Sequence, residues 1–272
     1  MKVKLSLWHI LLVICLVASF FPMIWMISTA FKQPDQLFSD FLNPIPEPAV
    51  FSNFVHAWTS VPLGRYLANS FFVSITVTAF QLFTSVLAAY AFTQYEFKGK
   101  NMLFYLAVAS MLVPIQVTML PNYIMMSEAN LVNTYAGLIL PQLANGMGIF
   151  LLRQAFRSVP KSLMESARVE GARDWKRLWL ILFPAVKPTV ISLGILFFIN
   201  TWNEYLWPLL MITNEDMRTI PLALQMFISA EGGTSWGPMM AVAVLASLPP
   251  IVAFLLVQKH VISSFMHSGV KG

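Results

Sequence analysis

Two stretches of this 272-residue chain carry residues whose types and spacing could do chemistry. The first is Trp202-Asn203-Glu204-Tyr205-Leu206-Trp207-Pro208, within an otherwise apolar run. Asn200, Asn203, Glu204 and Trp207 stand at i, i+3, i+4 and i+7, the spacing of one helix face. Amide, carboxylate and indole offer donors and acceptors to hydroxyl groups and an aromatic face to the C–H surface of a sugar ring. The same stripe would serve as a structural network holding this segment to a neighbour. Gln142 and Asn145, with Gln81 and Thr84, are weaker candidates of the same kind, and packing between helices is their simpler role. The second stretch is charged: Glu165-Ser166-Ala167, then Glu170 and Gly171, then Ile181 and Pro184. Neither stretch is catalytic in type. His9, His56, His260, His267 and Cys15 show no metal-ligand spacing, and no nucleophile is paired with a base. A Gly-x-x-x-x-Gly-Lys phosphate loop is absent, so any ATP must be bound by another chain. The chain reads as a non-enzyme with no cofactor of its own.

The elements around these residues are those of a membrane protein. Hydrophobic residues make up 57% and charged residues 11%, against about a quarter charged in a soluble domain. A helix needs roughly 20 mainly apolar residues to cross the hydrocarbon core. Windows of that kind predict six spans, at about 7–31, 69–93, 102–126, 132–152, 187–212 and 237–259, in one all-α transmembrane domain covering 1–272. Glu204 is the only carboxylate inside them, which calls for an interior or watery location. The first window is too long for a signal-peptide core and is kept as a span. Pro114 and Pro249-Pro250 are expected to bend the third and sixth spans, and Pro141, Gly146 and Gly148 to make the fourth irregular.

Charge sets the orientation. Of 17 basic residues, those at Lys2, Lys4, Lys98, Lys100, the run Arg153–Lys187, Lys259 and Lys271 fall on one side. Only Lys32, Arg65 and Arg218 fall on the other, so both termini are expected in the cytoplasm. The net charge of +5 is therefore a topology signal and not a nucleic-acid footprint. The first outer loop, 32–65, with five prolines, is expected to be extended.

The cytoplasmic loop, 153–186, reads as helix, glycine turn, helix and proline break. Ser162 and Glu165 have the spacing of a capping box, with Ser162 as the cap. Gly171 permits a turn that other residues resist. On physical grounds alone, an amphipathic segment lying on anionic headgroups is as good a reading as a docking element.

The spacing of Glu165-Ser166-Ala167, Gly171, Ile181 and Pro184 resembles the Glu-Ala-Ala loop of binding-protein-dependent ABC import permeases, with Ser166 and Phe183 as departures. Further runs extend the resemblance over most of the chain: Asn69-Ser70-Phe71, Pro114-Ile115-Gln116-Val117-Thr118, Leu138-Ile139-Leu140-Pro141, Gly148–Gln154, Trp202–Pro208 and Gly269-Val270-Lys271-Gly272. Together they are similar to the carbohydrate-uptake branch, in the manner of the maltose "G"-type subunits. That resemblance implies a six-helix subunit paired with a homologous permease, two copies of an ABC ATPase and an external solute-binding protein, in a bacterial or archaeal inner membrane. It further implies that the loop residues, together with Lys271 and Gly272 of the tail, contact the ATPase, and that the cargo is a sugar or sugar-like solute. The competing reading is an ion-coupled secondary carrier acting without an ATPase; a single intramembrane carboxylate and no visible repeat argue against it.

Overall fold

The computed structural model describes residues 7–39, 43–229 and 233–269. Three helices are each long and apolar enough to cross a membrane: within Leu7–Ala30, Leu63–Gln94 and Trp236–Gly269. Three further candidates are bent helix pairs, giving up to six crossings if each pair counts as one, and the last pair begins within the expected loop. The only strands among the described residues are Ile228–Ser229 and Gly233–Thr234, an antiparallel pair of two residues each.

Proline sets the bends. The third span is not one straight crossing: Lys100–Leu112 and Ile115–Glu128 meet at 102°. Val113, held extended at φ −81° and ψ 117° ahead of Pro114, cannot continue the helix. The fourth pair, Tyr135–Gln142 and Gly146–Ser158, bends by 46° past Pro141. In the fifth, Asp174–Ala185 meets Lys187–Trp202 at 81°. The sixth has no break, as Trp236–Gly269 runs as one helix through Pro249 and Pro250.

The chain divides into two compact units. The first comprises Met1–Leu67 and Thr219–Pro249. Its helix Leu7–Ala30 is exposed along nearly its whole length. The following loop is not wholly extended, as it contains the helix Ser52–Ser60. Buried Asn53 donates to the carbonyls of Ala30 at 3.0 Å and Lys32 at 2.8 Å, and the Lys32 ammonium donates to Asn43 at 2.7 Å. The rings of Phe31, Phe51 and Phe54 pack around this joint. Asn53 and Lys32 thus tie together a proline-rich segment that its composition marks as irregular.

The second unit comprises Ala68–Arg218 and Pro250–Gly272. One apolar cluster joins Val86, Ala89 and Tyr90 to Leu152 and Phe156, Met164, Leu178 and Leu182, and Val190, Leu193 and Phe197. A second cluster joins Val73 and Val77 to Leu138, Ile139, Trp207 and Met211. Buried Asn69 donates to the carbonyls of Asp216 and Arg218, both at 2.9 Å, and accepts from the Tyr135 hydroxyl at 2.7 Å. The first cluster is what positions the charged loop.

Candidate functional site: the charged loop and its anchors

The loop helix spans Lys161–Val169. Met164 and Ala167, three residues apart, are both buried, Met164 within the first cluster, while Glu165, Ser166, Arg168 and Glu170 are exposed. Val169 is 89% exposed, which leaves an apolar side chain outward among charges. One face therefore fixes the helix to the core and the other is available for docking. The expected capping box is not formed. Pro160 occupies the cap position with extended ψ, so Ser162 already lies inside the helix and its hydroxyl cannot serve as the cap.

The end of this helix follows from Gly171. Its φ of +79° is the left-handed conformation that side chains resist. Ala172 N–H donates to the Ala167 carbonyl at 2.9 Å and Gly171 N–H to the Arg168 carbonyl at 3.1 Å. That pair of bonds is a Schellman motif with glycine at its left-handed position. The chain then turns into Asp174–Lys176 and a π-helical stretch, Arg177–Leu182, that buries Leu178 and Leu182. Pro184 has no N–H to give the carbonyl of Leu180, so the regular ladder loosens there. Ile181 packs half-buried against the first cluster, and Pro184 is exposed just before the 81° bend.

Asp174 was not singled out by the sequence. It accepts from the Tyr95 hydroxyl at 2.5 Å and from the Tyr90 hydroxyl at 3.3 Å, and it pairs with Arg177. These contacts clamp the loop to the end of the helix Leu63–Gln94. The hydrogen bond from Tyr95 is the main cause holding the Asp174 carboxyl below its ordinary 3.8, and the same bond pushes the Tyr95 phenol above its ordinary 10.0. The carboxylate's contribution is present above pH 3.8 and is lost as pH falls through its lowered value. The phenol's contribution is present below pH 10.0 and is lost as pH rises through its raised value. The clamp is thus complete at every pH at which a cell works. Asp174→Asn, which removes the charge and one acceptor, is expected to loosen the loop, so that limited proteolysis of the detergent-purified chain cuts near residues 170–177 several-fold faster.

The stripe expected on the fifth span is not one helix face. The helix ends at Trp202, residues 203–205 break it, and Leu206–Met211 follows as a separate helix. Pro208 cannot donate to the Glu204 carbonyl, and that interrupts the ladder at this point. Glu204 starts the second helix: its Oε1 accepts from the N–H groups of Leu206 at 3.1 Å and Trp207 at 3.2 Å. Trp207 is 4% exposed, and its indole N–H donates to the Gly137 carbonyl at 3.2 Å, so it presents no face to a solute. Only Asn200 and Asn203 are exposed together. At the fourth-span break, Asn145 accepts from Gly148 N–H at 3.0 Å and Gln142 donates to the Leu138 carbonyl at 2.8 Å. Gln81 donates to Gln142 at 2.7 Å and Thr84 to Leu143 at 2.9 Å, so these side chains satisfy the opened backbone. Lys271 and Gly272 lie outside the described residues.

Comparison with known proteins agrees with this architecture. The chain belongs to the family described as binding-protein-dependent transport system inner membrane component, which matches residues 81–266. It is a transport permease subunit and not an enzyme. The sn-glycerol-3-phosphate transport system permease protein UgpE of Yersinia pestis is 32% identical over 267 residues, covering 96% of this chain and 95% of that one. The arabinooligosaccharides transport system permease protein AraQ of Halalkalibacterium halodurans is 30% identical over 255 residues, covering 93% and 91%. A chain of a bacterial ABC transporter that imports the acidic polysaccharide alginate has the same fold, with a TM-score of 0.83 at 22% identity over 92% of this chain and 93% of that one.

Proposed function

We propose that this subunit forms, with a homologous permease, the inner-membrane pathway of a carbohydrate importer, and that two ABC ATPase copies drive it through the helix Lys161–Val169. The observation that carries the reading is the two-sided loop helix. Met164 binds it to the core of the spans beside a buried Ala167, and Glu165, Ser166, Glu170 and the turn at Gly171 stand exposed. A push on the exposed side must reach Leu152, Leu182 and Phe197 through packed contacts, since interiors at this density transmit strain. The loop side is cytoplasmic on the positive-inside rule, with both termini there. ATP is bound by the partner. An external binding protein delivers the solute, as in the alginate importer whose structure holds a substrate-loaded periplasmic protein.

The relatives named above handle glycerol-3-phosphate, arabinooligosaccharides and alginate, so a polyhydroxylated solute is the cargo class. Asn200 and Asn203 are the pathway residues this reading retains, because exposed amides at membrane depth need a wet surface or a partner. Glu204 is held by two backbone N–H groups, which favours the ATP-driven reading over a carrier with a mobile proton relay. Purification of the tagged chain in mild detergent should bring down a second permease and an ATPase. In proteoliposomes of that complex, Asn200→Leu with Asn203→Leu should cut sugar uptake by about tenfold or more, the loss expected from hydrophobic replacement of two solute hydrogen bonds. A chain that purifies alone and transports alone would overturn the reading.

A further inference from the structure

Within the second unit, a cleft of 770 Å³ opens beside the loop helix. Its walls come from the end of the helix Leu63–Gln94, the start of Lys100–Ala109, the end of Gly146–Ser158 and the first turn of Lys161–Val169. Four cations line it: Lys100, Arg153, Arg157 and Lys161, against two carboxylates, Glu96 and Glu165. Lys100 is already occupied, donating to the Tyr95 carbonyl at 2.8 Å and pairing with Glu96 at 2.9 Å. Arg153 and Arg157 are different. They stand one helical turn apart, a like-charge spacing that destabilises an isolated helix. Neither makes an ion pair with a carboxylate among the described residues. Arg153 lies over the Phe104 ring, 3.9 Å from its centroid, and its buried Nε–H has no acceptor. Burial first, and then the charge of Arg157, push its guanidinium below its ordinary value. A buried donor without a partner is costly, and two adjacent guanidiniums call for an oxygen-rich anion between them.

The surroundings say what carries that anion. Along Lys100–Ala109, Met102 is 67% exposed, Tyr105 68% and Leu106 55%, and Met102 itself lines the cleft. A helix with exposed apolar side chains therefore runs from a cationic cleft that the positive-inside rule places at the cytoplasmic ends of the spans. Basic pockets between transmembrane helices on that side accept acidic head groups. We propose that the cleft binds one anionic phospholipid, its phosphate bridging Arg153 and Arg157 and its acyl chains lying along Lys100–Ala109. Because Lys161 and Glu165 share the cleft, the bound lipid ties the loop helix to the spans and makes transport depend on acidic lipid. The proposal rests on the cytoplasmic placement of the loop.

Native mass spectrometry of the purified complex, washed in detergent and re-exposed to phosphatidylglycerol or phosphatidylcholine, tests this. Wild type should retain phosphatidylglycerol selectively. Arg153→Gln with Arg157→Gln should weaken that retention by about tenfold or more, as expected for the loss of two cations at an acidic head group. Arg153→Lys with Arg157→Lys, which keeps the charges, should retain most of it and serves where the glutamine pair fails to assemble. Uptake by wild type should rise with phosphatidylglycerol in the vesicles and be indifferent to it in the glutamine variant. Equal lipid retention by wild type and the glutamine variant would overturn the proposal. Displacement of the lipid by millimolar inorganic phosphate would also overturn it, in favour of a soluble anion site. Loss of the ATPase from the glutamine variant in every lipid, with lipid retention unchanged, would assign the arginines to an acidic partner segment instead. Lipid retention is read on this chain whether or not it co-purifies with an ATPase, so failure of the importer reading is seen separately.

Discussion

Gly171→Pro is expected to leave the subunit inserted and assembled but to break the link between ATP hydrolysis and uptake. Proline fixes φ near −65°, whereas Gly171 sits at +79°. It also lacks the N–H that closes the 3.1 Å bond to Arg168. The loop helix would lose its stop, and residues 172–176 would leave the helix axis in another direction, with Asp174 carried away from Tyr90 and Tyr95. A Cβ at Gly171 would meet nothing within 4 Å, so the effect is one of backbone conformation and not of crowding. That separates a series of variants. Asn tolerates the left-handed region and should keep most of the uptake. Ala should cost about 1–2 kcal/mol of loop-helix stability, and a β-branched residue such as Val more. Uptake in proteoliposomes should therefore fall in the order Gly, Asn, Ala, Val, Pro, with at least about a tenfold loss for Pro. ATP hydrolysis by the same complexes should persist. Normal uptake by Gly171→Pro would show that this turn does not couple anything.

The legible parts of this protein are those set by neighbours in sequence. Apolar windows gave the helices Leu7–Ala30, Leu63–Gln94 and Trp236–Gly269, and a glycine after an amphipathic run gave the turn at Gly171. Proline carried more information than was taken from it. Pro208 marked the break that puts Glu204 at a helix start, and Pro114, from which a bend was expected, sets one as large as 102°. Pro160 displaced the capping box because its own extended ψ begins the helix one residue before Ser162. Other features could not be read locally. The Asp174 clamp joins residues 79 and 84 positions apart, and nothing near Asp174 announces Tyr90 or Tyr95. The two-sidedness of the loop helix was visible as a pattern, but which spans received Met164 required the packed cluster. The polar residues of the fourth span were conspicuous for being polar at membrane depth, and the structure assigns them to the backbone that Pro141 and Gly146 open.

Trp207→Phe is expected to be far more damaging than the loss of a polar tip suggests, and Pro141→Ala to rescue part of that damage. In a regular helix the carbonyl of Gly137 would accept from residue 141, but residue 141 is proline and has no N–H. The Trp207 indole supplies the missing donor at 3.2 Å. Gly137 is glycine for a related reason: a Cβ there would overlap the Leu131 carbonyl and meet Met211 Cε at 2.5 Å. The helix Tyr135–Ile139 is therefore pressed against both the preceding turn and the helix Leu206–Met211, with the indole bond closing the joint. Phenylalanine at 207 fills most of the space but leaves a buried carbonyl unpaired, a cost of about 1–3 kcal/mol. Alanine at 141 restores a backbone N–H at the position that carbonyl would use in a regular helix. The double variant should then be more stable than the sum of the single changes predicts by about 1 kcal/mol or more, a coupling of the size expected for groups that share one acceptor. Thermal unfolding of the detergent-purified subunit, followed by fluorescence-detected size exclusion, reads all four corners of this cycle. Strict additivity would mean that the indole is held by its packing among Val73, Leu138 and Met211 and that its bond to Gly137 contributes nothing measurable.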